Sequence, residues 1–367
     1  KLACDELMAG RADAMLAGGV SRPDCLYTQI GFSQLRALSP SGLCAPFDHR
    51  ANGLVVGEGA GILVLKRLED AITDNDPIHG VIHGIGLSND MRGNLLAPES
   101  NGQLRAMRGA YAAAGWRPSD IDLIECHGAG TPVGDATEVQ SLCSLWGSKG
   151  WRPGQCAIGS VKSMIGHLLT AAGAAGMIKT LLALKEQVLP PSLNFERPPE
   201  NSPLLNSPFR VQIETAPWPA HKGHRRRAAV SAFGFGGING HILLEEWTGN
   251  DEHEAKVEPF LSPSGPQAVK TQDPVSDPKS SPPVVAIVGM AVSFGRGVSL
   301  PEFQDISFNG RSVIGDRPKG RWRSVSDLFD LPADTIPKWG GFMTHLKIGI
   351  NEFRIPPKEI PDILPQH

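Results

Sequence analysis

The chain has 367 residues, of which 41% are apolar, enough for more than one domain and for a sizeable core. Its 38 acidic and 35 basic side chains leave a formal charge of −3, which argues against nucleic acid or an anionic membrane surface as a principal partner. The six cysteines, at 4, 25, 44, 126, 143 and 156, show neither a C-x-x-C pair nor zinc-type spacing, and the most apolar run is broken by Lys179, so we expect reduced thiols in the cytoplasm, no metal and no membrane span.

Lys1–Gly10 carries Leu2, Ala3, Leu7 and Met8 at helical spacing and starts without a cap. Ala12–Gly19 reads as a buried strand and Ile62–Leu68 as another, with Pro40, Gly42, Pro46 and Gly53 marking loop between them. Glu58, between two glycines, either braces a loop or lies on the surface. Gly80–Ser88 is a further strand, and Asn101–Gly115 an amphipathic helix with Arg105 and Arg108 on its wet face. Such alternation predicts a layered α/β arrangement.

Three stretches carry chemistry. Ile121–Asp135 reads as a strand ending in a loop, with His127 at the strand end, Pro132 stiffening the loop, and Gly128, Gly130 and Gly134 keeping it thin. By itself His127 reads more readily as a core or turn histidine. A second stretch of the same design shifts that balance: Ala157–His167 runs from a short strand through a Gly/Ser loop to His167, which the pattern places at the start of a buried helix, Leu168–Lys185. An imidazole at the positive end of a helix is expected to stay neutral. The third stretch, Ala228–Glu245, joins two strand-like runs through a link with Phe233, Gly234, Phe235 and Gly236, and does not match the dinucleotide pattern.

In this order the three stretches resemble the β-ketoacyl synthase (ketosynthase) family of the thiolase fold. His127-Gly-Ala-Gly-Thr-Pro-Val-Gly-Asp135 looks like its first histidine motif, Ser160-Val-Lys-Ser-Met-Ile-Gly-His167 its second, and Gly234-Phe-Gly-Gly-Ile-Asn239 its closing loop. Ala45–Asp48, Gly57–Gly61 and Leu189–Asn194 add shorter signatures, and the match runs from about Lys1 to Trp247. The resemblance implies an incomplete thiolase-like α-β-α-β-α fold, with mixed sheets and buried central helices. It also implies decarboxylative Claisen condensation of an acyl thioester with a malonyl thioester. The nucleophilic cysteine would precede Lys1, so that residues 1–367 alone would not condense; Cys4 is a poor substitute, lying inside an apolar helix.

In that reading His127 and His167 are catalytic, Lys162 fixes the loop through Glu138, and Phe235 with Gly234 gates the acyl pocket and helps form an oxyanion hole. Thr131, Phe233 and Gly236 are expected to bind substrate, Thr131 through the phosphopantetheine arm. No cofactor is bound directly, because substrates arrive on the phosphopantetheine of an acyl carrier protein. The expected partners are that carrier, other domains of the same synthase and a second copy of the chain, without nucleic acid or membrane. Ala129, Met164 and Ile238 depart from the motifs, standing where threonine, asparagine and threonine are usual.

Further along, Pro190, Pro191, Pro198, Pro199 and Pro203 make an extended surface segment, and His221–Arg227 is a basic run that is either a solvated face or a docking patch for an acidic carrier. The expected division is 1–248 as the C-terminal portion of one ketosynthase, 249–283 as a Pro-rich, charged linker, and 284–367 as the N-terminal portion of a second. In the last, Val284–Val292 is a strand, Leu300–Asn309 a helix, and Gly320–Arg323, Phe353–Ile360 and Leu364–Gln366 look like family continuations. Two such units imply a polyketide or polyunsaturated fatty acid synthase. Two alternatives remain: a non-elongating chain-length or structural partner, and a phosphate- or metal-binding module, against which stands the absence of a P-loop and of H-x-x-E-H spacing.

Overall fold

In the computed structural model the described residues are 1–22, 26–91, 98–220, 225–249, 284–295, 299–318 and 338–343. The linker expected at 249–283 and the motifs at 320–323, 353–360 and 364–366 fall almost entirely outside them.

Nine strands form one mixed sheet: β1 (Met15–Ser21), β2 (Gly59–Arg67), β3 (Gly80–Asn89), β4 (Leu123–Glu125), β5 (Cys156–Gly159), β6 (Phe209–Val211), β7 (Arg227–Gly234), β8 (Ile238–Glu245) and β9 (Val285–Phe294). Their order is β1-β2-β9-β3-β8-β7-β4-β5-β6; the first six are antiparallel, and β7, β4, β5 and β6 run parallel. The helices are α1 (Leu2–Met8), α2 (Leu26–Gln34), α3 (Leu68–Thr73), α4 (Ser100–Ala114), α5 (Pro132–Trp146), α6 (Lys162–Ile165), α7 (Ala172–Glu186) and α8 (Leu300–Phe308).

Strand alternation divides the core between the two faces. Leu123, Ala157, Ala228, Val230 and Leu244 point to the side of α1, α7 and α8, while Ile124, Ile158, Ala229 and Leu243 point to that of α4 and α5. α7 packs against β1, β2, β3, β4 and β7, which is why it is buried nearly all round. On the opposite face α4 lies so close to β3 that a Cβ at Gly86 would stand 1.8 Å from the Ala106 carbonyl oxygen. The mixed α/β class is as the sequence implied, although the several sheets expected join into one nine-stranded sheet with two short ribbons beside it.

β9 belongs to the segment expected to begin a second unit, yet its residues sit inside this sheet, hydrogen-bonded to β2 on one side and β3 on the other. Glu58 fastens that segment. Its N–H donates to the Gly341 carbonyl at 2.8 Å, its carbonyl accepts from Gly295 N–H at 3.0 Å, and its carboxylate accepts from Met343 N–H at 2.8 Å. Of the two readings of Glu58, the structure shows the bracing one.

In the described part of the basic run, residues 225–227, the arginines are held in ion pairs. Arg226 is buried, paired with Glu246 at 2.6 Å and donating to the Trp218 carbonyl, while Arg227 pairs with Glu245 at 2.7 Å and lies 4.1 Å above the Trp116 ring. Arg225 reaches Glu245 at 3.5 Å, so these arginines close the end of the β7–β8 hairpin.

Candidate active site

β4 pairs in parallel with β5 and β7, and at its end the Cys126 N–H still donates to Gly159 at 2.8 Å. The chain then leaves the sheet with four successive N–H groups facing two carboxylates of α5. Glu138 accepts from His127 and Gly128, both at 2.8 Å. Asp135 accepts from Ala129 at 3.1 Å and Gly130 at 3.2 Å through one oxygen, and from Phe47 at 2.8 Å through the other. Burial raises both carboxyls, Asp135 to about 6 and Glu138 to about 7, against the pull of those N–H groups and of the Lys162 ammonium. Asp135 is a site residue for which the sequence reading had no role. Its signal was the three-residue spacing to Glu138, which puts both carboxylates on one face of α5.

His167 arrives from a different direction. Its turn is fixed by Ser163 Oγ donating to the Ser160 carbonyl at 2.8 Å and by Gly166 at φ +77°, a left-handed conformation suited to glycine. The His167 N–H donates to Val55 at 2.7 Å, and its carbonyl accepts from Gly57 at 2.9 Å. His167 therefore does not open a helix: a 3-10 turn follows at Leu169–Ala171 and α7 begins only at Ala172. Its neutrality has another cause. Burial, and then the Lys162 ammonium, push the His167 imidazole down to about 3 and His127 well below its ordinary value, with His167 adding to the effect on His127.

The two rings meet at 5.3 Å between centroids, at 72° to one another. His127 Nδ1 accepts from the Phe233 N–H at 3.2 Å, and His167 Nδ1 accepts from the Leu169 N–H at 3.0 Å. A backbone N–H can only donate, so both Nδ1 atoms are bare and each neutral ring carries its proton on Nε2.

Both rings line a cavity of about 690 Å³, together with Thr131, Phe233, Gly234 and Phe235. Phe235 is 45% exposed, its ring 5.4 Å from that of Phe32. Of the other expected residues, Lys162 and Glu138 lie buried behind the wall rather than in it, and Gly236, at φ +83°, bends the hairpin link without lining the cavity. Ile238 lies at the mouth, 62% exposed, and Ala129 lines the cavity with a methyl group.

Cys4 packs beside Leu7 in the core cluster, and burial raises its thiol; Cys44, behind the His127 loop, is pushed up to about 12. Neither is poised as a thiolate nucleophile. Among the described residues no three His, Cys, Asp or Glu side chains converge as a metal site would require, and no helix is long and apolar enough to cross a membrane.

Comparison with known proteins gives the family. The model of the β-ketoacyl synthase N-terminal domain matches residues 1–71 and 283–367, that of the C-terminal domain residues 79–196, and that of the ketoacyl-synthetase C-terminal extension residues 198–273. The chain is 43% identical over 247 residues to the polyketide synthase PksL of Bacillus subtilis, covering 67% of this chain and 5% of that protein. It is 42% identical over 246 residues to a mycocerosic acid synthase-like polyketide synthase of Mycolicibacterium smegmatis, covering 67% of this chain and 12% of that one. Among solved structures, the ketosynthase from module 6 of the bacillaene synthase of Bacillus subtilis superposes with a TM-score of 0.66 at 42% identity, over 68% of this chain and 44% of that one. The chain thus spans a small part of these synthases and less than half of that ketosynthase.

Proposed function

Because the chain belongs to the β-ketoacyl synthase family, we propose that His127 and His167 form the decarboxylating half of a condensing centre in a polyketide synthase. The observation that carries this reading is the pair of neutral imidazoles, His167 buried and His127 part-buried, that share one cavity with Nδ1 occupied and Nε2 protonated. When a malonyl thioester loses carbon dioxide, the electron pair of the breaking C–C bond moves onto the thioester and an enolate oxygen develops charge. Two Nε2–H donors aimed at that oxygen stabilise it, each contributing about 3 kcal/mol in a site that excludes water. Neutral rings suit the task, since they donate without transferring a proton to the carbon that must attack next. That carbon then attacks the acyl thioester, expelling a cysteine thiolate that the described cysteines of this chain do not supply.

Burial, helped by Lys162, keeps both rings neutral, and Glu138 holds the His127 loop. Thr131 offers a hydroxyl at the wall for a phosphopantetheine arm delivered by an acyl carrier protein, and Phe235 stands at the mouth as its gate. Gly234 and Phe233 border the acyl side, and Gly236 lets Phe235 move by keeping the link thin. β1 supports self-association: among the described residues it is an outer strand paired only with β2, and Leu16 is 71% exposed on it. A non-elongating subunit would need the fold but not two matched donors with Lys162 behind them, which favours the condensing reading. The domain division 1–248, 249–283 and 284–367 and a cytoplasmic location belong to the same proposal.

The test is malonyl-thioester decarboxylation by the synthase polypeptide containing this chain, with His127→Ala and His167→Ala. Each variant is expected to lose roughly 10²- to 10³-fold in rate. Unchanged rates would remove the assignment.

A further inference from the structure

Behind the two histidines lies a buried ion pair that the chemistry above does not use. Glu125, the last residue of β4, is 3% exposed, and Lys179, on α7, is 1% exposed. One carboxylate oxygen of Glu125 accepts from Lys179 Nζ at 2.9 Å; the other accepts from the Val161 N–H at 2.6 Å, one residue before Lys162. Room for this is built into α7, because at Gly176, one turn ahead of Lys179, a Cβ would come within 3.0 Å of Glu125 Cγ. A single carboxylate thus joins the strand that ends at His127, the turn that leads through Lys162 to His167, and the central helix.

We infer that Glu125 and Lys179 are a positioning pair: Glu125 holds the Lys162–His167 turn against the His127 strand, and Lys179 holds that carboxylate in place from α7 and is its counter-charge beside the two imidazoles. Lys162 is held below its usual value by burial, and Glu125 is the largest influence opposing that, ahead of Glu138. The other groups around the rings are Asp135 and the thiols of Cys44 and Cys126, with Arg36 and Asp90 on the cavity wall. Removing Lys179 alone takes one positive charge from the cluster and leaves Glu125 to draw on Lys162. Both changes make the imidazoles easier to protonate. Removing both members of the pair restores the balance of charge but loses the tight anchor.

The catalytic part of the test rests on the condensing-centre reading; the titration part does not. In the synthase polypeptide, Lys179→Met is expected to lower kcat for malonyl-thioester decarboxylation roughly tenfold while KM stays within about twofold, since the donors shift and the binding wall does not. Ring-nitrogen NMR is expected to show His127 or His167 titrating about half a pH unit or more higher. Lys179→Arg is expected to bring both readouts back. A folded Lys179→Met protein with unaltered imidazole titrations overturns the inference. If Lys179→Met does not fold, Glu125→Gln/Lys179→Met decides: the charge is balanced but the amide has no Lys179 to hold it against Val161, so the pair proposal requires a folded protein with reduced kcat, and wild-type kcat overturns it. A wild-type protein that decarboxylates no malonyl thioester sinks the condensing reading alone, because the titrations still decide the pair.

Discussion

A neutral imidazole whose Nδ1 accepts a backbone N–H is a donor with one proton and a fixed direction, and His127 and His167 place two such rings 5.3 Å apart between centroids. Another histidine shows what a buried ring costs outside a site. His241 is fully buried, shares a hydrogen bond with Ser231 Oγ at 3.0 Å, lies against Tyr111, and has Nε2 without a partner. Burial pushes it down to about 3. The sign follows directly: between about 6.5 and 3 the unfolded chain binds a proton there that the folded chain refuses, so stability falls as pH falls through that window and is untouched above it. His241→Phe is therefore expected to flatten the acid side of a urea-denaturation pH series by up to about 1.4 kcal/mol per pH unit. An unchanged slope would mean that the ring is already protonated in the folded protein.

At the scale of elements, both histidine loops are set by neighbours distant in the chain. The paired strand-to-loop stretches singled out His127 and His167, because a strand end and a glycine-thinned turn are local patterns, while Lys162 and Glu138 came from the family resemblance alone. The Asp135 bonds reach to Phe47, and the Glu125–Lys179 pair spans 54 positions; neither leaves a mark on local periodicity. Lys179 read only as a break in an apolar run. The helix start was misplaced for a related reason: Leu168–Ala171 are as apolar as the helix that follows, yet His167 is tied to Val55 and Gly57, and the chain needs a 3-10 turn before α7 begins. That tie makes Gly57 a sensitive position, since a Cβ there would stand 2.3 Å from the Ile165 carbonyl oxygen. Gly57→Ala is expected to cost about 1–3 kcal/mol in denaturant unfolding and to slow decarboxylation, because the backbone must yield at the His167 turn. Wild-type stability in that variant would show that the turn has slack.

For the whole molecule, strand-by-strand reading located Val284–Val292 and Leu300–Asn309 close to the observed β9 and α8. Register and neighbours were beyond it. That β9 inserts between β2 and β3, under the hold of Glu58, depends on pairings more than two hundred residues apart, which alternation along one strand does not encode. The sheet so completed carries β4 and β5 side by side, and through them brings two histidines 40 positions apart to one cavity. The proposed condensing chemistry depends on the protonation of those rings. The most direct measurement is the ring-nitrogen NMR spectrum of His127 and His167 at pH 7 in the folded protein. Two neutral rings, each with Nδ1 bare and Nε2 protonated, are predicted; an imidazolium at either position, or a proton on either Nδ1, would contradict the account.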